Sequence, residues 1–334
     1  MNILLESRPF YPSVGGMETV GRQLAEAWQG QGRTVQVITQ TPLNDTEPLD
    51  TLNVIRQPSL STWWRLLQEA DIFVQSGISL KSLPLGLLSG TPVVFIHHNM
   101  LPTGSDTVGI RNQLKRWAAH LGPNIAVSSA VAQDLPSSRT TVIHNPFEPY
   151  FTSTESPDDP HHLLFVGRLV SVKGVDVALH ALSQLDASYT LTICGDGPER
   201  SELERLAMTL GLGNRVTFEG WVDHDELRPY ARRVSIQLVP SRYEPFGIVA
   251  LEAIAAGCAV VASDTGGLSE AVGPCGILVP PDDPAALAQG IERAASTRDD
   301  LLASRDEHLS RFDIDVIAEQ YLDFFNKEIK KKRK

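Results

Sequence analysis

Short, continuous apolar runs alternate along the chain with longer segments of helical periodicity. In the first half the runs are Ile3-Leu4-Leu5, Val35-Gln36-Val37-Ile38, Ile72-Phe73-Val74, Val93-Val94-Phe95-Ile96 and Ile125-Ala126-Val127. They are unbroken rather than alternating with polar residues, as expected of parallel strands covered by helices on both faces. Between Phe147 and His162 the chain turns to Pro, Ser, Thr and Asp, the composition of a linker. The pattern restarts with Leu163-Leu164-Phe165-Val166, Leu191-Thr192-Ile193, Val216-Thr217-Phe218, Ile236-Gln237-Leu238-Val239 and Ala259-Val260-Val261, again interleaved with helical segments. A last amphipathic helix is expected from about Ile314 to Ile329, with Ile317, Tyr321, Phe324 and Phe325 near helical spacing.

The predicted fold class is therefore α/β, with two Rossmann-like doubly wound domains. The first spans residues 1–150, the second residues 151–312, and residues 313–334 form a closing helix with a basic tail. Open parallel sheets bind ligands beyond the carboxyl ends of their strands, so two such domains are expected to face a central cleft.

Length agrees with this division, since 334 residues suit two domains of about 150 each. Hydrophobic residues are 42% and charged residues 21%, and no apolar run reaches the roughly 20 residues needed to cross a bilayer. The start at Asn2-Ile3-Leu4-Leu5 resembles a strand rather than a secretory leader. Three cysteines without metal-ligand spacing fit a reducing cytoplasm, the expected location. The net charge of −11 argues against nucleic acid as a partner. It is unevenly placed: residues 1–150 hold 11 acids against 10 bases, and the rest 29 against 19.

Three segments carry candidate chemistry. Pro12-Ser13-Val14-Gly15-Gly16-Met17-Glu18 is a glycine turn opening into a helix expected from Thr19 to Trp28. Paired glycines let backbone amides approach an anion at a helix N-terminus, though such a pair also serves an ordinary loop. The segment lacks the full dinucleotide-binding glycine pattern, which weighs against a nicotinamide enzyme. Gly167-Arg168-Leu169-Val170-Ser171-Val172-Lys173-Gly174 sets two cations five residues apart after a strand. A diphosphate leaving group gains negative charge as its glycosidic bond breaks, and Arg168 and Lys173 suit its neutralisation. In Glu244-Pro245-Phe246-Gly247-Ile248-Val249-Ala250-Leu251-Glu252, one carboxylate lies in a turn and the other on the helix that follows. They can accept hydrogen bonds from sugar and ribose hydroxyls.

These motifs, with Gly195-Asp196-Gly197-Pro198 and the stretch from Gly257 to Glu270, stand in the order seen in the large family-four retaining glycosyltransferases, and the chain resembles that family over nearly its whole length. The resemblance implies the GT-B fold, no cofactor, no metal and a nucleotide-sugar donor that is itself a substrate. It gives Arg168 and Lys173 the donor diphosphate, Glu244 the transferred sugar, and Glu252 the ribose. The backbone of Phe246, Gly247 and Ile248 would meet sugar and phosphate, Gly16 would touch the diphosphate from the opposite domain, and Val222 lies where the base is held. Catalysis falls to Glu244, Arg168, Lys173 and His98, the last chosen over His97 by its place after a strand. Acceptor specificity is assigned to Gly15, Met17, His98 and Asn99.

The implied reaction is transfer of a hexosyl group from a UDP-glucose or GDP-mannose type donor to a sugar, sugar phosphate or lipid-linked glycan hydroxyl. A non-catalytic nucleotide-sugar-binding subunit and a nucleotide-sugar epimerase are the alternatives. The basic amphipathic segment Ile110 to Ala119, with Arg111, Lys115 and Arg116, and the tail Lys330 to Lys334 are candidates for contact with an anionic membrane.

Overall fold

The computed structural model describes residues 1–8, 10, 16–42, 52–101, 109–147, 159–223 and 226–332. They form two units, Met1–Pro146 with Phe312–Lys334, and Phe147–Arg311. In chain order the first unit contains β1 (Asn2–Ser7), α1 (Gly16–Gly30), β2 (Thr34–Thr39), β3 (Asn53–Arg56), α2 (Leu60–Glu69), β4 (Ile72–Ser76), α3 (Leu83–Ser89), β5 (Val93–His97), α4 (Ile110–Ala118), β6 (Asn124–Ala126), α5 (Ser129–Asp134) and β7 (Thr140–Val142). The second contains β8 (Asp159–Val166), α6 (Val175–Leu182), β9 (Thr190–Cys194), α7 (Arg200–Thr209), β10 (Val216–Gly220), α8 (Arg228–Ala231), β11 (Val234–Val239), α9 (Ile248–Ala255), β12 (Ala259–Ser263), α10 (Leu268–Val272), β13 (Gly276–Val279), α11 (Pro284–Leu302) and α12 (Arg305–Ser310). The chain then returns to the first unit as α13 (Ile314–Lys332).

Among the described residues the first sheet runs β3-β2-β1-β4-β5-β6-β7 and the second β10-β9-β8-β11-β12-β13, all neighbours parallel. The expected α/β class is thus observed. The central strands are apolar throughout because both faces are covered: Ile3, Leu4 and Leu5 of β1 and Ile72, Phe73 and Val74 of β4 are fully buried. On one face Leu4, Phe73 and Phe95 pack beneath Trp63, Leu66 and Leu67 of α2. Elsewhere in this unit, α13 docks on α1, with Trp28 edge-on to Tyr321 at 5.7 Å and to Phe325 at 5.3 Å between ring centres.

Some elements depart from the sequence reading. Helix α1 begins at Gly16 rather than Thr19, which brings Glu18 into its first turn, where a carboxylate is favourable. Strands β3, β7 and β13 appear where the apolar pattern gave no strand. The topology also fixes where ligands can sit. In each sheet two adjacent strands send their connections in opposite directions, β1 and β4 in the first unit, β8 and β11 in the second. The loops beyond those carboxyl ends diverge and leave a crevice.

Candidate active site

In the second unit the β8/β11 crevice is bordered by residues 167–174 and 240–247. Across it Lys173 Nζ donates to Glu244 Oε2 at 2.6 Å, and Ser241 Oγ donates to the same oxygen at 3.3 Å. Glu244 is only 9% exposed, so its charge is held by these donors rather than by bulk water. Arg168 is exposed, and its side chain has no hydrogen-bond or ionic partner among the described residues. The backbone also fixes the turn: Gly267 N–H donates to Glu244 O at 2.9 Å, and Arg242 N–H to Val172 O at 2.9 Å.

Helix α9 starts from Gly247, whose φ of 104° is one that glycine adopts without strain, and no side chain caps it. The amides of Ile248 and Val249 at its start are therefore available to an anion, while Ala250 N–H donates to Gly247 O at 2.9 Å. The Phe246 side chain is buried, so this residue offers its backbone, and Ile248 opens the helix that carries Glu252.

Arg242 is a member of this site that the sequence reading missed. Its guanidinium donates to Asp176 Oδ1 and Oδ2 at 2.9 and 2.7 Å, pairs with Asp282 at 2.6 Å and donates to Ser171 O at 2.5 Å. It thereby ties the Lys173 loop to the Glu244 turn. Burial alone would raise the Asp176 carboxyl, but the Arg242 hydrogen bonds and charge outweigh it and hold the group below the usual range. The only available signal was its place two residues before Glu244.

At the end of β10 a groove of about 730 Å³ is lined by Trp221 and Val222 with Glu219, Arg228 and Tyr230. Three strand spacings, on the order of 14 Å, separate β10 from β11 along the sheet edge, a distance suited to an extended ligand. The cysteines offer no alternative nucleophile. Burial pushes the thiols of Cys194, Cys258 and Cys275 up to about 12, 12 and 11, so they stay protonated at neutral pH.

In the first unit Met17 and Asn99 meet, Asn99 Nδ2 lying 3.5 Å from Met17 Sδ. Gly16 opens α1, and a Cβ there would meet no atom within 4 Å, so packing does not demand glycine. Gly15 lies outside the described residues. His98 is buried, with Nε2 3.0 Å from Ser76 Oγ. Its Nδ1 and Asn145 Oδ1 have no hydrogen-bond partner among the described residues. Burial, then the neighbouring His97, lowers His98 to about 4, while nearby Asn145 opposes the shift, so the ring is neutral at pH 7. His97 is likewise lowered to about 4, chiefly by burial, and is engaged with Asn124 at 2.8 Å.

The basic helix α4 divides its cations. Arg111 is exposed and Lys115 partly buried, whereas Arg116 turns inward, donating to Leu101 O at 3.2 Å and Asp134 O at 3.1 Å. Arg116 is thus bound into the fold. Ile110, Leu114 and Trp117 point outward.

Two parallel doubly wound units are the fold of GT-B glycosyltransferases, and solved structures of that class share it. Sucrose-phosphate synthase from Thermosynechococcus elongatus has a TM-score of 0.79 at 24% identity, covering 98% of each chain. Anabaena HepE, solved with UDP and glucose, has a TM-score of 0.80 at 22% identity, covering 97% of this chain and 99% of that one. The chain belongs to the family-four glycosyltransferases: residues 14–150 match the profile of Glycosyltransferase Family 4, and residues 146–308 that of Glycosyl transferases group 1. Among curated relatives, an uncharacterized glycosyltransferase of Methanocaldococcus jannaschii is 41% identical over 143 residues, 42% of this chain and 37% of that protein. Glycogen synthase of Mycobacterium tuberculosis is 34% identical over 206 residues, 59% of this chain and 48% of that enzyme. The matched segments therefore span less than half the length of these relatives.

Proposed function

We propose that this glycosyltransferase moves a hexosyl group, with retention and without a metal, from a nucleoside diphosphate sugar of UDP-glucose or GDP-mannose type to a hydroxyl of a sugar, sugar phosphate or lipid-linked glycan. The observation that carries the reading is Lys173, held 2.6 Å from Glu244 at the crevice of the second unit, with the exposed Arg168 on the same loop. As the bond from the anomeric carbon to the diphosphate breaks, the departing oxygen takes the bonding pair. Arg168 and Lys173 neutralise that charge, supplying what a divalent ion would otherwise provide. Glu244 accepts from hydroxyls of the transferred sugar, the first-turn amides of α9 meet sugar and phosphate, and Glu252 accepts from the ribose. The acceptor oxygen forms the new bond on the face the diphosphate leaves, and its proton passes to the departing phosphate. Neutral His98 suits a hydrogen bond to a sugar hydroxyl. The UDP and glucose in HepE support a UDP-sugar as the first donor to test.

The test is incubation of the pure protein with nucleotide sugars and acceptors in excess chelator. The expected product keeps the anomeric configuration of the donor, read by proton NMR, at an initial rate unchanged by the chelator. Inversion, or a strict Mg²⁺ or Mn²⁺ requirement, would contradict the mechanism, and a pure protein without transfer or donor hydrolysis would favour the non-catalytic alternative. Peripheral membrane contact is a second reading, carried by the outward Ile110, Leu114 and Trp117 of α4 and measured by binding to anionic vesicles.

A further inference from the structure

We propose that Arg242 is a positioning residue for transfer: its guanidinium brackets Lys173 and, from two residues before Glu244, sets both ends of the ion pair that receives the donor. This deepens the reading above and rests on it for the diphosphate. Lys173 ends a single turn, Ser171–Lys173, and α6 starts after Gly174. Before Lys173 in the chain, Ser171 O accepts from Arg242 Nη1 at 2.5 Å. After it, Asp176 in the first turn of α6 accepts from Nη1 and Nη2 at 2.9 and 2.7 Å, one bond to each carboxylate oxygen. A planar, forked cation suits this arrangement of a carbonyl and a carboxylate, and a lysine ammonium does not. The Arg242 main chain adds N–H to Val172 O at 2.9 Å, and its carbonyl accepts from Thr265 Oγ1 at 3.2 Å. Nε pairs with Asp282 at 2.6 Å. One residue thus joins the loops after β8, β11, β12 and β13 at the carboxyl edge of the second sheet.

Lys173 gains from such support because its ammonium rides on a flexible four-carbon stem and its side chain is 28% exposed. A misplacement of about 1 Å in a reacting constellation can cost on the order of a hundredfold in rate. The backbones of the two loops already meet closely: a Cβ on Gly174 would lie 2.0 Å from Pro240 O, and one on Gly266 would lie 1.8 Å from Glu244 O. Those contacts set the spacing of the loops, and the directed hydrogen bonds of Arg242 fix their register. Charge gives a second reason. Asp176 and Asp282 stand on loops that border a site for a diphosphate, and without the guanidinium they would repel that ligand and compete with Glu244 for the Lys173 ammonium. The side chains of Arg242, Asp176 and Asp282 are 29%, 37% and 57% exposed, so water screens their attraction and the clamp contributes more to geometry than to stability.

The experiment compares the full wild-type chain with Arg242→Met, Asp176→Asn and the double variant in three measurements. These are thermal melting, the rate at which acetic anhydride acetylates Lys173 in the ligand-free protein, and calorimetric titration with UDP, UMP, GDP and GMP. Lys173 reactivity is read by peptide mass spectrometry relative to the exposed Lys327. In Arg242→Met, Lys173 is expected to react at least threefold faster, because an ammonium released from Glu244 is more accessible. The diphosphate that wild type binds is expected to bind at least tenfold more weakly, its monophosphate to change less than threefold, and the melting curve to stay close to that of wild type. Asp176→Asn is expected to shift reactivity and diphosphate affinity in the same direction. The double variant should go no further than Arg242→Met alone, since partners in one clamp are not additive. Unchanged Lys173 reactivity, or equal weakening of diphosphate and monophosphate together with a lower melting temperature, would overturn the proposal and leave Arg242 as part of the fold only. Binding of neither UDP nor GDP to wild type would fail the glycosyltransferase reading, and Lys173 reactivity, which needs no ligand, would still decide whether Arg242 holds the ammonium in place.

Discussion

Glu244→Gln is expected to lower turnover at least tenfold while the melting curve stays close to that of wild type. The replacement keeps the shape of the side chain and an oxygen able to accept from Lys173 and Ser241, now 2.6 and 3.3 Å from Oε2. It removes the charge that anchors the ammonium and strengthens hydrogen bonds from sugar hydroxyls. A tenfold loss corresponds to about 1.4 kcal/mol of transition-state stabilisation, a modest demand on one charge-assisted contact. The stability change is expected to stay within about 1 kcal/mol, because the Lys173 side chain is 28% exposed and the ammonium retains water. Steady-state kinetics beside thermal melting separates the two effects. Near-normal turnover would remove Glu244 from the chemistry.

Gly195→Ala is expected to act in the opposite sense, on the fold of the second unit first and on activity through it. Gly195 follows β9 with φ of 157°, and a Cβ at this position would overlap the carbonyl oxygen of Gly167, the residue before Arg168. The close approach is held by Gly167 N–H donating to Cys194 O at 3.0 Å and Gly195 N–H to Gly220 O at 2.7 Å, so no flexible side chain can yield. Backbone strain and steric overlap together should cost about 3 kcal/mol. For a unit of this size the melting temperature would fall by roughly 6–12 °C. Donor affinity should fall with it, since the loop carrying Arg168 and Lys173 must shift. Melting and donor titration of one preparation test this, and an unchanged melting temperature would show that the loops are less tightly locked than their hydrogen bonds indicate.

The strands legible in the sequence are those with both faces covered. β1, β4 and β5 are continuous apolar runs because helices pack on either side. β3 was not legible because it is an edge strand whose Asn53-Val54-Ile55-Arg56 is at most partly buried, and β7 because Thr140-Thr141-Val142 is three residues long with two threonines. The same distinction runs through the candidate site. Arg168, Lys173 and Glu244 stand out in local motifs, and the fold brings Lys173 to Glu244 across 71 residues of chain. The Arg242 clamp escaped because Asp176 is 66 residues away and nothing local marks either partner. The inward turn of Arg116 depends on Leu101 and Asp134 and so on the packing of α4, which helical periodicity alone does not give.

The most direct measurement of the central claim, that the second unit holds a nucleoside diphosphate sugar through the loop after β8, is calorimetric titration with UDP-glucose, GDP-mannose, UDP-N-acetylglucosamine and ADP-glucose, in wild type and Arg168→Ala. Selective binding of one donor, weakened at least tenfold in Arg168→Ala, is the expected result. Binding of none of the four to wild type, or equal affinity in the variant, would contradict it.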